Sequence, residues 1–181
     1  NGDHRIDSKD RVALGSAAPD FFGGFYTQFK YKGFALGAEF SYSKGNMAYN
    51  AVRNQLEGMN TLGNQSIAVL NRWSLDGQVT NMPRVQHNDP YRSTSFSERW
   101  LEDASYLRMK SVTLSYSFDK TVLNFFRSGT LYVSGENLLT ATKYLGLDPE
   151  FSYSYGETSQ GLDYAKMVQP KSVKFGVNLK F

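Results

Sequence analysis

The sequence predicts an all-β chain built from long antiparallel strands. Apolar and polar residues alternate over several stretches, which is the pattern of a strand with two different faces. These stretches reach about a dozen residues, whereas strands of globular domains usually have about 5–6. The 16 Gly, 12 Tyr and 13 Phe residues also favour strands and turns over helices.

The strand predicted over residues 170–181 shows this pattern most clearly. One face carries Val173, Phe175, Val177, Leu179 and Phe181, and the other carries Ser172, Lys174, Gly176, Asn178 and Lys180. An exposed edge strand with so apolar a face would promote aggregation in water. In a membrane barrel its edges would be paired and its apolar face would meet lipid. A core strand of a soluble β-sandwich is the alternative, and this stretch alone does not separate the two.

Four more strands are predicted by the same alternation, at 21–32, 34–45, 104–118 and 129–142. The first two form a hairpin around the tight turn at Gly33. Each is about as long as the 9–11 residues that a tilted strand needs to cross a bilayer. Length therefore favours a membrane barrel.

The strand at 104–118 changes its apolar parity partway along. Val112 and Leu114 lie on one parity, and Leu107 and Met109 lie on the other. Either a β-bulge near Lys110 restores one apolar face, or the first part of the strand packs inward.

The connections between strands differ in length at the two ends. Short turns occur around Gly33 and 119–128, and long segments occupy 1–20, 46–103 and 143–169, with a short helix expected near Ala48–Met59. Outer-membrane barrels have short periplasmic turns and long extracellular loops. Five strands cannot close a barrel, so we expect the missing strands upstream of this fragment.

Composition excludes several function classes. The net charge is only +3 and no compact Lys/Arg run occurs, so no nucleic-acid partner is expected. The chain has no cysteine, which excludes disulfides and thiolate metal sites. No apolar run approaches the ~18 residues of a transmembrane helix.

Enzymatic chemistry is not expected. Glu98, Glu102 and Asp103 form an acidic cluster, but their spacing suits a hinge between loop and strand with salt bridges to Arg99 or Arg108. The two histidines lie in predicted loops, which does not favour a catalytic triad or a zinc site.

The first residues offer a possible calcium loop and no other cofactor is expected. Oxygen ligands fall at calcium-loop spacing on Asn1, Asp3, Asp7 and Asp10. His4 occupies the position that normally needs Gly for a left-handed turn. A solvated Asp/Lys loop is the alternative.

Three motifs resemble one family. Residues 98–116 (ERWLEDASYLRMKSVTLSY), residues 131–150 (LYVSGENLLTATKYLGLDPE) and the 170–181 strand resemble late strands of SusC/RagA-like TonB-dependent outer-membrane transporters. The opening NGDHRID resembles that family's Asp/Asn-Gly-Asp loop, with His4 where Gly is usual. The resemblance covers nearly the whole chain and is weakest over 45–95.

The resemblance implies a 22-stranded barrel in the bacterial outer membrane, of which this chain supplies the C-terminal strands. It also implies an upstream plug energised by TonB-ExbB-ExbD, a SusD-like lipoprotein at the extracellular face, and import of oligosaccharides or peptides. The implied protein is a transporter rather than an enzyme. A soluble β-sandwich carbohydrate-binding module is the alternative, and a barrel serving as an adhesin or anchor is a third possibility.

Two groups of residues are candidate contacts within that architecture. The loop aromatics Trp73, Tyr91, Trp100 and Tyr153 are expected to stack on substrate or, more simply, to pack against the lipoprotein or neighbouring loops. The charged residues Lys30, Glu39, Glu136 and Lys174 are expected to face the lumen and pair there or with the plug.

Overall fold

The computed structural model describes residues 9, 11–90, 92–119, 127–151 and 160–181. Its strands and α-helix are, in chain order, β1 (Phe21–Tyr31), β2 (Phe34–Lys44), β3 (Met47–Asn50), α1 (Ala51–Glu57), β4 (Leu101–Asp103), β5 (Tyr106–Asp119), β6 (Ser128–Thr142), β7 (Leu162–Asp163) and β8 (Ser172–Lys180). Short 3₁₀ turns lie at Ile67–Asn71 and Glu98–Trp100. No helix in these ranges is long and apolar enough to cross a membrane.

The five long strands form one antiparallel sheet in the order β1-β2-β5-β6-β8, which we call the main sheet. Each of these strands begins and ends within two residues of the bounds that alternation predicts. The end of this sheet where β2 finishes and β5 begins is the loop end, and the opposite end is the turn end.

A two-residue turn closes the hairpin of β1 and β2. Tyr31 pairs with Phe34, so Lys32 and Gly33 alone form the turn. Both have positive φ, 44° and 84°, as a type I′ turn requires. Gly33 adopts this conformation without the steric cost that a side chain adds, and the predicted tight turn is confirmed.

A β-bulge on β5 corrects the parity change. Met109 pairs with Phe40 and Ser111 pairs with Glu39, which leaves Lys110 as the extra residue. The bulge predicted near Lys110 is therefore confirmed, and Leu107 joins the face of Val112 and Leu114.

The segments 46–105 and 143–171 fold together at the loop end, and we call their described residues the loop module. A second sheet of order β4-β3-β7 lies here, and α1 follows β3 directly. The Asn50 side chain caps α1 by accepting a hydrogen bond from the Arg53 backbone N–H. The short helix expected near Ala48–Met59 is confirmed, and the long segment 46–103 also contains β3, β4 and the two 3₁₀ turns, which alternation did not indicate.

The loop module has two small apolar clusters instead of one periodic face. One contains Ala48, Ala104 and Tyr144, and the other contains Met59, Val69 and Met82. Because each cluster joins residues that are distant in sequence, no local alternation marks them.

Candidate functional surfaces of the main sheet and the loop module

The main sheet carries an exposed apolar face. Residues directly opposite one another in an antiparallel pair share a face. One such row crosses all five strands, through Phe29, Leu36, Leu114, Val133 and Phe175. Phe29 is 69% exposed and Phe175 is 82% exposed, so the described residues do not cover this face.

The opposite face of the main sheet is polar. All four lumen candidates, Lys30, Glu39, Glu136 and Lys174, lie on this face by their register. Lys174 forms an ion pair with Glu136 on the neighbouring strand, and the Ser172 hydroxyl donates to the same carboxylate at 2.9 Å. These two charges therefore neutralise each other across β6 and β8.

Trp100 is a core residue of the loop module. Its side chain is 1% exposed, and the guanidinium carbons of Arg53 and Arg99 lie 5.5 Å and 4.8 Å from its ring centre. Such distances are typical of cation–π contacts. Of the contacts expected for the loop aromatics, Trp100 makes the one with neighbouring loop segments, since its ring is covered by residues of the chain itself.

Glu102 connects three parts of the loop module. Its carboxylate accepts from Arg53 Nη1 at 2.6 Å, from Asn50 Nδ2 at 3.3 Å and from the Leu145 backbone N–H at 2.8 Å. Arg53 also donates to Glu57 at 2.9 Å. Burial acts to lower the pKa of Arg53, but its hydrogen bonds to the two carboxylates outweigh that effect and raise it.

A second ion-pair network fastens the segment after β6 to β5. Arg108, 3% exposed, pairs with the buried Asp148, and Lys110 Nζ lies 2.6 Å from Glu150 Oε2. The backbone N–H groups of Glu150 and Gln169 also donate to Asp148. Burial acts to raise the pKa of Asp148, and the Arg108 and backbone hydrogen bonds lower it overall. The carboxylate therefore stays ionised.

The sequence missed these pairings, although it predicted a hinge with salt bridges. Glu102 pairs with Arg53, and Asp103 lies 3.6 Å from Lys44, so neither uses Arg99 or Arg108. The Asp103 carboxylate also accepts hydrogen bonds from the backbone N–H and the hydroxyl of Ser105. The sequence did contain one signal for the second network. Arg108 and Lys110 on β5 are two positions apart, and so are their partners Asp148 and Glu150.

Asp89 closes a turn in the loop module. Its carboxylate accepts from the backbone and hydroxyl groups of both Ser93 and Thr94. Burial alone would raise the pKa of Asp89, but these hydrogen bonds lower it to about 2. Protonation in acid would therefore weaken the turn.

The remaining candidates are distributed as follows. Trp73 is half-buried, with the Arg84 guanidinium 5.8 Å from its ring centre. Tyr91, Tyr153 and the calcium candidates Asn1, Asp3, Asp7 and Asp10 lie outside the described residues. Within the described ranges no group of His, Asp or Glu side chains is arranged to hold a metal ion.

No family model matches the chain, but comparison with known proteins finds relatives that agree with one another in kind. All of the chain aligns at 32% identity with 18% of the TonB-dependent receptor P3 of Formosa agariphila. It also aligns throughout at 25% identity with 17% of the TonB-dependent receptor SusC of Bacteroides thetaiotaomicron. The solved structure of the RagAB peptide transporter superposes with a TM-score of 0.76 at 29% identity, over 93% of this chain and 18% of that one.

The antiparallel main sheet and these relatives define the chain as part of a TonB-dependent receptor. More narrowly, the chain belongs to the SusC/RagA-like TonB-dependent transporters. It spans about a fifth of the length of the relatives that it matches.

Proposed function

We propose that this chain forms barrel wall and extracellular loops in an outer-membrane importer of oligosaccharides or peptides. The observation that carries the proposal is the row of apolar side chains across all five strands, exposed on one side of a sheet whose other side is polar. In water a continuous apolar surface of this extent is unfavourable. In a bilayer it is the surface that lipid solvates, and the polar face lines the lumen.

Strand length and pairing support the same placement. β5 has 14 residues and β6 has 15, more than the 9–11 that a tilted strand needs to cross the hydrocarbon. A strand can remain in lipid only if its backbone groups are hydrogen-bonded to neighbouring strands. The inner strands of the main sheet meet that requirement, and further strands of a closed barrel would pair with β1 and β8.

Import is proposed from the relatives. They are named as receptors, importers and transporters, not as enzymes. In this proposal TonB-ExbB-ExbD acts on a plug outside this chain, and substrate passes along the polar face that carries Lys30, Glu39, Glu136 and Lys174. The RagAB neighbours are named for peptides, which supports peptides as one of the two substrate classes.

The loop module is proposed as part of the extracellular mouth that meets a SusD-like lipoprotein. Several of its apolar side chains are exposed, namely Leu62, Ile67, Leu70, Leu75 and Val79. Surface apolar groups of this kind favour contact with another protein segment. Trp73 lies in the same part of the chain and remains a candidate contact.

The rival sandwich module requires a second sheet packed over the apolar face. Within the described part of the chain, Phe175 and Leu179 are 82% and 37% exposed, and the small β4-β3-β7 sheet belongs to the loop module. This arrangement does not support the rival.

The proposal is tested on the full-length receptor in its native bacterium. Deletion of the gene should abolish uptake of one class of labelled oligosaccharide or peptide, and the wild-type gene should restore it. The receptor should fractionate with outer membranes and purify together with a surface lipoprotein. Recovery in the soluble fraction, or unchanged uptake of every substrate after deletion, would contradict the proposal.

A further inference from the structure

A shallow groove lies on the apolar face at the loop end of the main sheet. Its volume is about 540 Å³, and its apolar floor is formed by Phe21, Tyr42, Leu107 and Ala141. Tyr42, Leu107 and Ala141 are directly paired across β2, β5 and β6, so the floor lies on consecutive strands within the sheet. Additional strands beside β1 or β8 would leave it uncovered.

Two lysines stand at the rim of this groove. Lys44 pairs with Phe21 and so ends β2 on the apolar face, and Lys143 follows Ala141 by two residues on the same parity. Both line the groove. Lysine in such a position keeps its stem on apolar surface and places its ammonium at the level of lipid headgroups.

The charge at the rim is net positive. Asp103 also lines the groove and lies 3.6 Å from Lys44, but its carboxylate already accepts two hydrogen bonds from Ser105. In the part of the chain that the structure describes, Lys143 has no acidic partner. Two lysines against one aspartate leave one positive charge beside an apolar floor.

We propose that this groove binds a lipid with a net-negative phosphate headgroup. Its acyl chain lies on Phe21, Tyr42, Leu107 and Ala141, and its phosphate lies between Lys44 and Lys143. The complementarity is twofold, since the floor suits hydrocarbon and the rim suits an anion. This inference rests on the proposed function, because it takes the apolar face as the surface in contact with lipid.

The test uses the full-length receptor and two probe lipids with identical acyl chains, phosphatidic acid and phosphatidylcholine. Native mass spectrometry measures how many molecules of each remain bound. Each lysine near an anionic headgroup strengthens binding about fivefold, so Lys44→Gln with Lys143→Gln should weaken phosphatidic acid binding about 30-fold. Phosphatidylcholine binding should not change.

Two further variants control for charge and for folding. Lys166→Gln with Lys171→Gln removes the same charge from exposed sites outside the groove, and it should leave both lipids unaffected. Asp103→Asn keeps an oxygen acceptor for Ser105 and removes the negative charge at the rim, so it should strengthen phosphatidic acid binding. Misfolding would weaken phosphatidic acid binding in every variant, so it cannot explain weaker binding in the lysine variant together with stronger binding in Asp103→Asn.

The possible failures are distinguishable. If the Lys44/Lys143 variant retains phosphatidic acid as wild type does, or loses both lipids equally, the groove has no headgroup specificity and the inference is wrong. The proposed function would survive that result, because lipid would still contact the sheet. If the wild-type receptor retains neither lipid and bromine-labelled acyl chains do not quench a fluorophore on the apolar face, the proposed function itself fails.

Discussion

The main sheet and the loop module place their apolar groups in opposite ways. Within the described residues, every buried apolar side chain outside glycine and proline lies in the loop module, and these are Ala48, Ala51, Met59, Val69, Met82, Trp100, Ala104 and Tyr144. The long strands instead expose theirs, from Phe29 on β1 to Phe175 on β8. The loop module is built as a small water-soluble domain is built, and the main sheet is not.

Under the proposed function, this difference reflects two solvents, water around the loop module and lipid against the main sheet. Apolar burial holds the loop module together, and the buried ion pair of its Asp148 with Arg108 of β5 fastens it to the main sheet. In the main sheet, backbone pairing holds the strands, and the proposed function has lipid cover the exposed apolar side chains. The substitutions that destabilise should therefore differ in kind between the two regions.

The largest effect is expected where the loop module is fastened to β5, from Arg108→Ala. It leaves the Asp148 carboxylate buried without its cation, and breaking a buried ion pair on one side costs about 3–5 kcal/mol. Denaturant unfolding of the full-length receptor in vesicles would measure the loss. Lys174→Ala, which breaks the exposed pair with Glu136, is the matched control and should cost little. Equal losses in the two variants would contradict the contrast between the regions.

On the apolar face of the sheet, Leu114→Arg is expected to destabilise by about 2–4 kcal/mol, since a charge near the bilayer midplane loses its hydration. Leu114 is 44% exposed, so the same substitution on a water-facing surface would be nearly neutral. Ser115→Arg, the next residue and on the polar face, is the control. The measurement is again unfolding in vesicles, and a tolerated Leu114→Arg would place this face in water.

The smallest effect is expected in the Asp89 turn, as a function of pH. The pKa of Asp89 is about 2 in the folded protein and about 3.9 in an unfolded chain, so the unfolded form binds the proton first as pH falls. The turn is therefore fully stabilised above about pH 5 and loses that stabilisation progressively down to about pH 2. Hydrogen exchange at the Ser93 and Thr94 amides, corrected for intrinsic rates, should show the loss in wild type. Asp89→Asn should remove this pH dependence, and an unchanged profile in that variant would assign it to another group.

The main sheet could be predicted from sequence because its information is local. Alternation defined each long strand, Gly33 defined the turn, and the parity change between Met109 and Val112 indicated the bulge. The motifs at residues 98–116 and 131–150 resemble the SusC/RagA-like family, and this resemblance predicted the family as well as the strands.

The loop module could not be predicted in the same way, because its information is non-local. Trp100 is buried by Arg53, which lies far earlier in the sequence, and Arg108 is satisfied by Asp148, 40 residues later. Neither contact has a periodic signature, so the sequence left open whether an aromatic residue in a polar segment packs within the chain or contacts a partner or substrate. Finding the Arg108 network from sequence would have required matching two basic residues, two positions apart, with two acidic residues at the same spacing about 40 residues later.

The central claim is that lipid, not protein or water, solvates the apolar face of the main sheet. This chain contains no cysteine, so single cysteines at Leu114 and Thr113 can carry spin labels in a full-length receptor from which any cysteines elsewhere have been removed, placed in bilayers. The account predicts that the label at 114 is relaxed by oxygen dissolved in lipid and the label at 113 by a water-soluble nickel complex. Nickel access at 114 equal to that at 113, or a label at 114 immobilised against protein and reached by neither reagent, would contradict it.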